Sequence, residues 1–188
     1  MQLENKIILN DMKITVITGS AHRHGTSAMM ADEFIKGAQE AGHEVYCFDA
    51  AFKDVHPCIG CDTCINLGKG CVYKDDMLEL NPHILEADVL VFASPIYYYN
   101  INAQIKAVMD RFYANNAALQ GHKKAALLLT MADETRESAD GPEVFFDRYA
   151  AYMQWENLGV IAATSCWTVD DIKKTDFPRQ AYELGKSI

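Results

Sequence analysis

From Lys13 onward, short apolar runs rich in β-branched residues alternate with segments of helical periodicity. Residues 14–18 predict a buried strand and 19–26 a loop. Met30, Phe34, Ala38 and Ala41 then recur at spacings that share one helix face, and Gly42 is placed to end that helix. A second strand is predicted over 44–48. Asp76 and Glu79 have capping-box spacing and open a short helix running towards Leu85. Residues 88–93 (DVLVFA) are apolar almost throughout, as in a strand covered on both faces. Ile101, Ile105, Val108, Met109 and Phe112 mark another amphipathic helix. A fourth strand follows over 124–130, a helix over 143–155, a fifth strand over 160–165 and a closing helix over 176–186. Strands separated by helices need right-handed crossovers, so the pattern predicts a three-layer α/β domain with a parallel sheet.

Composition narrows the class without changing the fold. The chain has 188 residues, 49% hydrophobic and 23% charged, which is ordinary for a globular domain. A domain of this length buries about 70% of the surface its unfolded chain exposes, so it folds without disulfides. Its 26 acidic against 17 basic residues give a net charge of −9, which weighs against wrapping a nucleic-acid backbone. No apolar run approaches the roughly 18 residues of a membrane span. The first twelve residues lack the basic start and apolar centre of a signal peptide, so a reducing, cytoplasmic location is expected. Residues 1–11 stand apart as an N-terminal extension, leaving 12–188 as one domain.

In such a sheet, ligands bind beyond the carboxyl ends of the strands, where the strand order reverses. The loops after strands one, three and four are therefore the informative ones. The first, Gly19-Ser20-Ala21-His22-Arg23-His24-Gly25-Thr26-Ser27, is neither a Walker A loop nor a GxGxxG fingerprint. Its hydroxyls surround a turn into a helix N-terminus, which suits the phosphate of a single nucleotide. An ordinary Ser/Thr N-cap is the competing explanation. After strand three, Ser94-Pro95-Ile96-Tyr97-Tyr98-Tyr99-Asn100 offers three tyrosines that cannot all enter one core. They are placed to present flat faces to a planar ring, with aromatic packing at a dimer interface as the plainer alternative. Asn100 is suited to cap the next helix or to reach a ring carbonyl.

These loops, with Gln104-Ile105-Lys106-Ala107 and Asp110-Arg111, make the chain resemble the NADPH-dependent FMN reductase family of the flavodoxin-like fold. The resemblance runs from Lys13 to Ile188 and implies a five-stranded parallel sheet of order 2-1-3-4-5. It implies that Ser20, His22, Gly25, Thr26 and Ser27 hold the FMN phosphate. Pro95, Ile96, Tyr97, Tyr98 and Asn100 would surround the ring, and Thr130, Met131 and Ala132 would border its other side. The family often has arginine at the position of His22, and Arg23 is the candidate substitute. The implied assembly is a homodimer or homotetramer.

Six cysteines remain, at 47, 58, 61, 64, 71 and 166. Cys58, Cys61, Cys64 and Cys71 are separated by two, two and six residues, with Gly68-Lys69-Gly70 letting the fourth turn back. Compact runs of this kind ligate [4Fe–4S] clusters. Zinc also accepts four thiolates, and a loop of free thiols packed near the cofactor is the third alternative. Within the family the run looks like that of the iron–sulfur flavoproteins. Cys47 and Cys166 read as small buried apolar residues.

The expected function is an FMN-dependent oxidoreductase that takes hydride from NAD(P)H. It would pass electrons to a quinone, flavin, azo or nitro compound, or metal ion, with the cofactor carrying the chemistry and no protein acid or base assigned. The alternative is an electron carrier in which a cluster on the cysteine loop links FMN to a ferredoxin-like donor. Asp49 stands where an NAD-binding domain would place its ribose carboxylate, but the glycine fingerprint is missing. The acidic stretch 133–143 reads as a solvated loop near the ring.

Overall fold

The computed structural model describes residues 11–188, and the expected extension over residues 1–11 lies outside them except for Asp11. The chain begins with β1 (Lys13–Thr18), α1 (Thr26–Glu40) and β2 (Glu44–Asp49), followed by α2 (Thr63–Leu67) and α3 (Met77–Glu86). Next come β3 (Val89–Tyr97), β4 (Asn100–Ile101), α4 (Ala103–Arg111), α5 (Asn116–Leu119) and β5 (Lys124–Thr130). The chain closes with α6 (Asp140–Met153), β6 (Glu156–Ala163), α7 (Val169–Ile172) and α8 (Phe177–Lys186). The sheet runs β2-β1-β3-β5-β6, all parallel, and the two-residue β4 folds back antiparallel on β3. Counted without β4, this is the expected order 2-1-3-4-5.

Side chains that alternate along the strands build two cores. On β3, Leu90 and Phe92 face α3, α4 and α6, where they join Ile84, Ile105, Phe112 and Phe146. Val89, Val91 and Ala93 point the other way, against Met30, Phe34 and Ala38 of α1 and Ala181 of α8. A strand covered on both faces has no polar positions to alternate, which is why its sequence reads as a continuous apolar run.

Departures from the expected elements have local causes. Asp76 precedes α3 but does not cap it. Its carboxylate accepts from Asp54 N at 2.7 Å, and Glu79 instead accepts from Tyr46 and Lys53. The predicted capping box is thus spent on tying the loop after β2 to α3. β6 starts at Glu156 because its first residues lie exposed at the sheet edge and carry little apolar signal. α6 ends at Met153 because Gln154 turns left-handed (φ 57), leaving Trp155 outside the helix to donate to Leu119 O at 2.7 Å. Cys47 is exposed on the edge strand β2, not buried as expected, while Cys166 is buried.

α1 and α8 approach to backbone contact. A Cβ on Gly185 would lie 2.2 Å from Phe34 O, and one on Gly37 would lie 2.0 Å from Tyr182 O. Among the described residues no helix is long and apolar enough to cross a membrane. Replacing Gly185 by alanine must push these helices apart, at a cost of about 1–3 kcal/mol, typical of overpacking. Chemical denaturation of Gly185→Ala should show a lower midpoint; an unchanged midpoint would contradict the close contact.

Candidate functional site

The carboxyl ends of β1, β3, β5 and β6 open on a cavity of about 690 Å³, within the ~300–1,000 Å³ typical of small-molecule sites. The loop after β1 forms one wall with Ser20, His22, Arg23, His24, Gly25, Thr26 and Ser27. Gly25 is the N-cap of α1, and no side chain caps this 15-residue helix. The competing explanation of an ordinary Ser/Thr cap therefore does not hold, and the first amides of α1 remain available to an anion. Ser20 Oγ accepts from His22 N at 3.1 Å, which leaves its own proton free to donate. Thr26 Oγ1 and the buried Ser27 Oγ lie 3.2 and 2.7 Å from Thr130 Oγ1. That hydroxyl cluster stitches the start of α1 to the end of β5. Arg23 stays at the rim, its guanidinium 3.6 Å over the Phe52 ring and 3.9 Å from Asp49. Asp49 itself accepts from Thr18 Oγ1 at 2.6 Å.

The opposite wall comes from Pro95, Ile96 and Tyr97, with Met131 and Ala132 beside Thr130. Tyr97 and Asn100 pair across a two-residue turn in which Tyr98 (φ 49) and Tyr99 (φ 61) are both left-handed. Bulky residues rarely adopt that conformation, and each costs on the order of 1–3 kcal/mol. Gly141 permits the turn, since a Cβ there would lie 2.5 Å from Tyr99 O. The turn separates the three tyrosines. Tyr97 lines the cavity, while Tyr98 is 99% exposed and, like Asn100, does not line it. Asn100 Oδ1 accepts from its neighbour Ile101 N at 2.8 Å, and the helix cap falls to Asn102.

Asn102 is the functional residue the pattern did not reveal. Its amide donates to Gly19 O, and its Oδ1 accepts from Ile105 N at 3.4 Å. Its backbone N–H donates to Ser94 Oγ at 3.0 Å. One buried residue thus joins the loop after β1, through its side chain, to the end of β3, through its backbone, and Gly19 must be glycine because a Cβ would lie 2.3 Å from Asn102 Oδ1. The loop after β6 was also missed: Cys166, Trp167, Thr168 and Val169 complete the cavity, with Trp167 80% exposed at its mouth. A tryptophan just past a parallel strand was the available signal. The acidic stretch is anchored at its start, since Asp133 accepts from Thr135 and Ser138 and its carboxyl is held down at about 2 by those bonds.

Cys58, Cys61, Cys64 and Cys71 together line a second, small pocket with Ile59, Asp62, Val72, Tyr73 and Tyr113. Gly68 and Gly70 are left-handed (φ 61 and 77) and turn the chain back to bring Cys71 to the other three. Among the described residues no three His, Cys, Asp or Glu side chains gather closely enough to hold one metal ion. Behind the pocket, buried Arg111 grips Asp75, with Nη1 2.5 Å from Oδ2 and Nη2 3.1 Å from Oδ1. Burial alone would push the Asp75 carboxyl up. The guanidinium and the His56 and Met77 amides outweigh it and hold the group below the ordinary carboxylate value.

A model of the NADPH-dependent FMN reductase family matches residues 12–140. The chain belongs to this family. An iron–sulfur flavoprotein of Archaeoglobus fulgidus is 38% identical over 112 residues, 58% of this chain and 50% of that protein. One from Methanosarcina thermophila is 34% identical over 119 residues, 62% of each chain. The chain thus matches only about half to three-fifths of these relatives' length. The fold is shared with an NAD(P)H:quinone oxidoreductase from Methanothermobacter marburgensis, at a TM-score of 0.73 and 18% identity over 95% of this chain and 97% of that one.

Two substitutions test the geometry. Asn102→Ala removes buried hydrogen bonds and strands the Gly19 carbonyl, so a loss of about 1–3 kcal/mol is expected; an unchanged melting temperature would contradict the link. Asp75→Asn leaves Arg111 buried without its counter-charge, at a cost of about 3–5 kcal/mol near neutral pH. Because the folded carboxyl titrates below its unfolded value of ~3.9, wild type keeps this advantage above that pH and loses it as pH falls through the folded value. The stability gap between the two proteins should therefore close only below about pH 4. A gap independent of pH down to acid unfolding would contradict the pair.

Proposed function

We propose that the cavity binds FMN and that the chain is an FMN-dependent oxidoreductase, with NAD(P)H as hydride donor and a small molecule or metal ion as acceptor. The observation that carries this reading is the uncapped N-terminus of α1, ringed by hydroxyls in a cavity that Tyr97 and Trp167 also line. When bound, FMN supplies hydride acceptance and stepwise electron release. The first amides of α1 and the Ser20 hydroxyl would hold the phosphate, the helix dipole adding about half a positive charge. Thr130 fixes the Thr26 and Ser27 hydroxyls, so little reorganisation is needed on binding. Pro95, Ile96 and Met131 keep water from one side of the ring site, and Tyr97 with Trp167 offers flat faces to the ring and to an incoming partner.

A second redox centre, a [4Fe–4S] cluster on the cysteine pocket, is favoured by the four sulfurs surrounding one largely apolar space. The run of two, two and six intervening residues is the compact kind that holds an iron–sulfur cluster. The relatives' names, iron–sulfur flavoproteins, support the same reading. With a cluster present, the chain would also carry electrons between a ferredoxin-like donor and FMN.

Anaerobic purification followed by stopped-flow mixing tests both readings. The protein should be brown, with ~4 iron and ~4 sulfide per chain, and Cys64→Ala should lose the iron while keeping the flavin. Fast bleaching of the flavin by NADPH supports the reductase; bleaching only by reduced ferredoxin would overturn it in favour of the carrier. Protein that takes up neither FMN nor iron would sink the whole proposal.

A further inference from the structure

The cysteine pocket has a charged group at its back for which the flavin site has no use. Arg111 is 3% exposed, at the end of α4. Three of its four Nη hydrogens are engaged: both Nη atoms donate to Asp75, and Nη1 also donates to His56 O at 2.8 Å. Its Nε–H is buried with no partner. A buried donor of a charged group left unpaired is costly, so the site is incomplete as a purely structural clamp. The guanidinium lies 5.3 Å from the ring of Tyr73, which lines the cysteine pocket together with Cys71. A neutral thiol is a weak acceptor. An iron-bound thiolate carries negative charge and is the acceptor such an N–H suits.

We propose that Arg111 is the hydrogen-bond donor and charge partner of the cluster through the Cys71 sulfur, and that the Arg111–Asp75 pair sets the cluster's reduction potential. This inference rests on the reading of the cysteine pocket as a cluster site. Reduction adds one negative charge to the cluster. A buried guanidinium beside it favours the reduced form, and Asp75 behind the guanidinium offsets part of that effect. Hydrogen bonds to cluster sulfurs and local net charge are the usual means by which a protein tunes such a potential. The arrangement predicts opposite effects from removing Asp75 alone and from removing the whole pair, which a merely structural clamp would not produce.

The test is a potentiometric titration of the anaerobically reconstituted full chain, followed by the electron paramagnetic resonance of the reduced cluster. Iron and sulfide are counted first. Asp75→Asn should raise the potential, because the guanidinium is no longer countered. The double variant Arg111→Gln/Asp75→Asn, which removes the pair as a neutral unit, should lower it below wild type. The expected difference between the two variants is at least tenfold in the reduction equilibrium, about 59 mV for a one-electron couple. If the double variant does not retain iron, Arg111→Lys replaces it: the charge is kept, the Nε–H is lost, and a lower potential is again expected. Full iron occupancy with potentials that stay at the wild-type value, or shift in the same direction in both variants, would overturn the role of Arg111 alone. Wild-type chain that takes up no iron and sulfide would instead overturn the cluster reading and this inference with it.

Discussion

Buried Asn102 ties the loop after β1 to the end of β3, and with them two walls of the site. Asn102 bonds the Gly19 carbonyl on one side and Ser94 on the other while capping α4. The same helix ends at Arg111, whose guanidinium holds the His56 carbonyl and Asp75 at the back of the cysteine pocket. With a rise of 1.5 Å per residue, α4 sets these anchor points roughly 14 Å apart. One rigid, short helix therefore fixes the cavity and the cysteine pocket relative to each other, and disturbance of either end is transmitted to both.

The electrostatics of the cavity are local. The chain carries a net charge of −9, yet its best anion site is built almost without formal cations. Arg23 is drawn aside by Phe52 and Asp49. What remains is the end of a helix dipole and a set of oriented hydroxyls. Surface carboxylates beyond about 8 Å are largely screened at physiological salt, whereas amide N–H groups act at contact distance. Net charge thus argues about nucleic-acid backbones and says little about a phosphate seated on a helix.

The sheet was legible because its central strands are apolar on both faces, and parallel order follows from alternation with helices. The loop after β1 was legible as a wall of the site because its hydroxyls and glycines gather at a strand-to-helix junction beyond the carboxyl edge of the sheet. The fate of the tyrosines was not. Which of three adjacent rings faces the cavity depends on two left-handed residues and on the close approach of Gly141, a contact between segments some forty residues apart. Asn102 and the Arg111–Asp75 pair were hidden for the same reason: their partners are distant in sequence, and a buried polar residue looks like a surface one until its partners are known. Trp167 belonged to a loop that the strand-end rule should have included.

The most direct test is a comparative titration of apoprotein with FMN and riboflavin, which differ only in the phosphate. If the start of α1 and the Ser20 hydroxyl seat that group, FMN should bind at least a hundredfold more tightly, about 2.7 kcal/mol. Equal affinity for the two flavins, or no change in flavin fluorescence with either, would contradict the account.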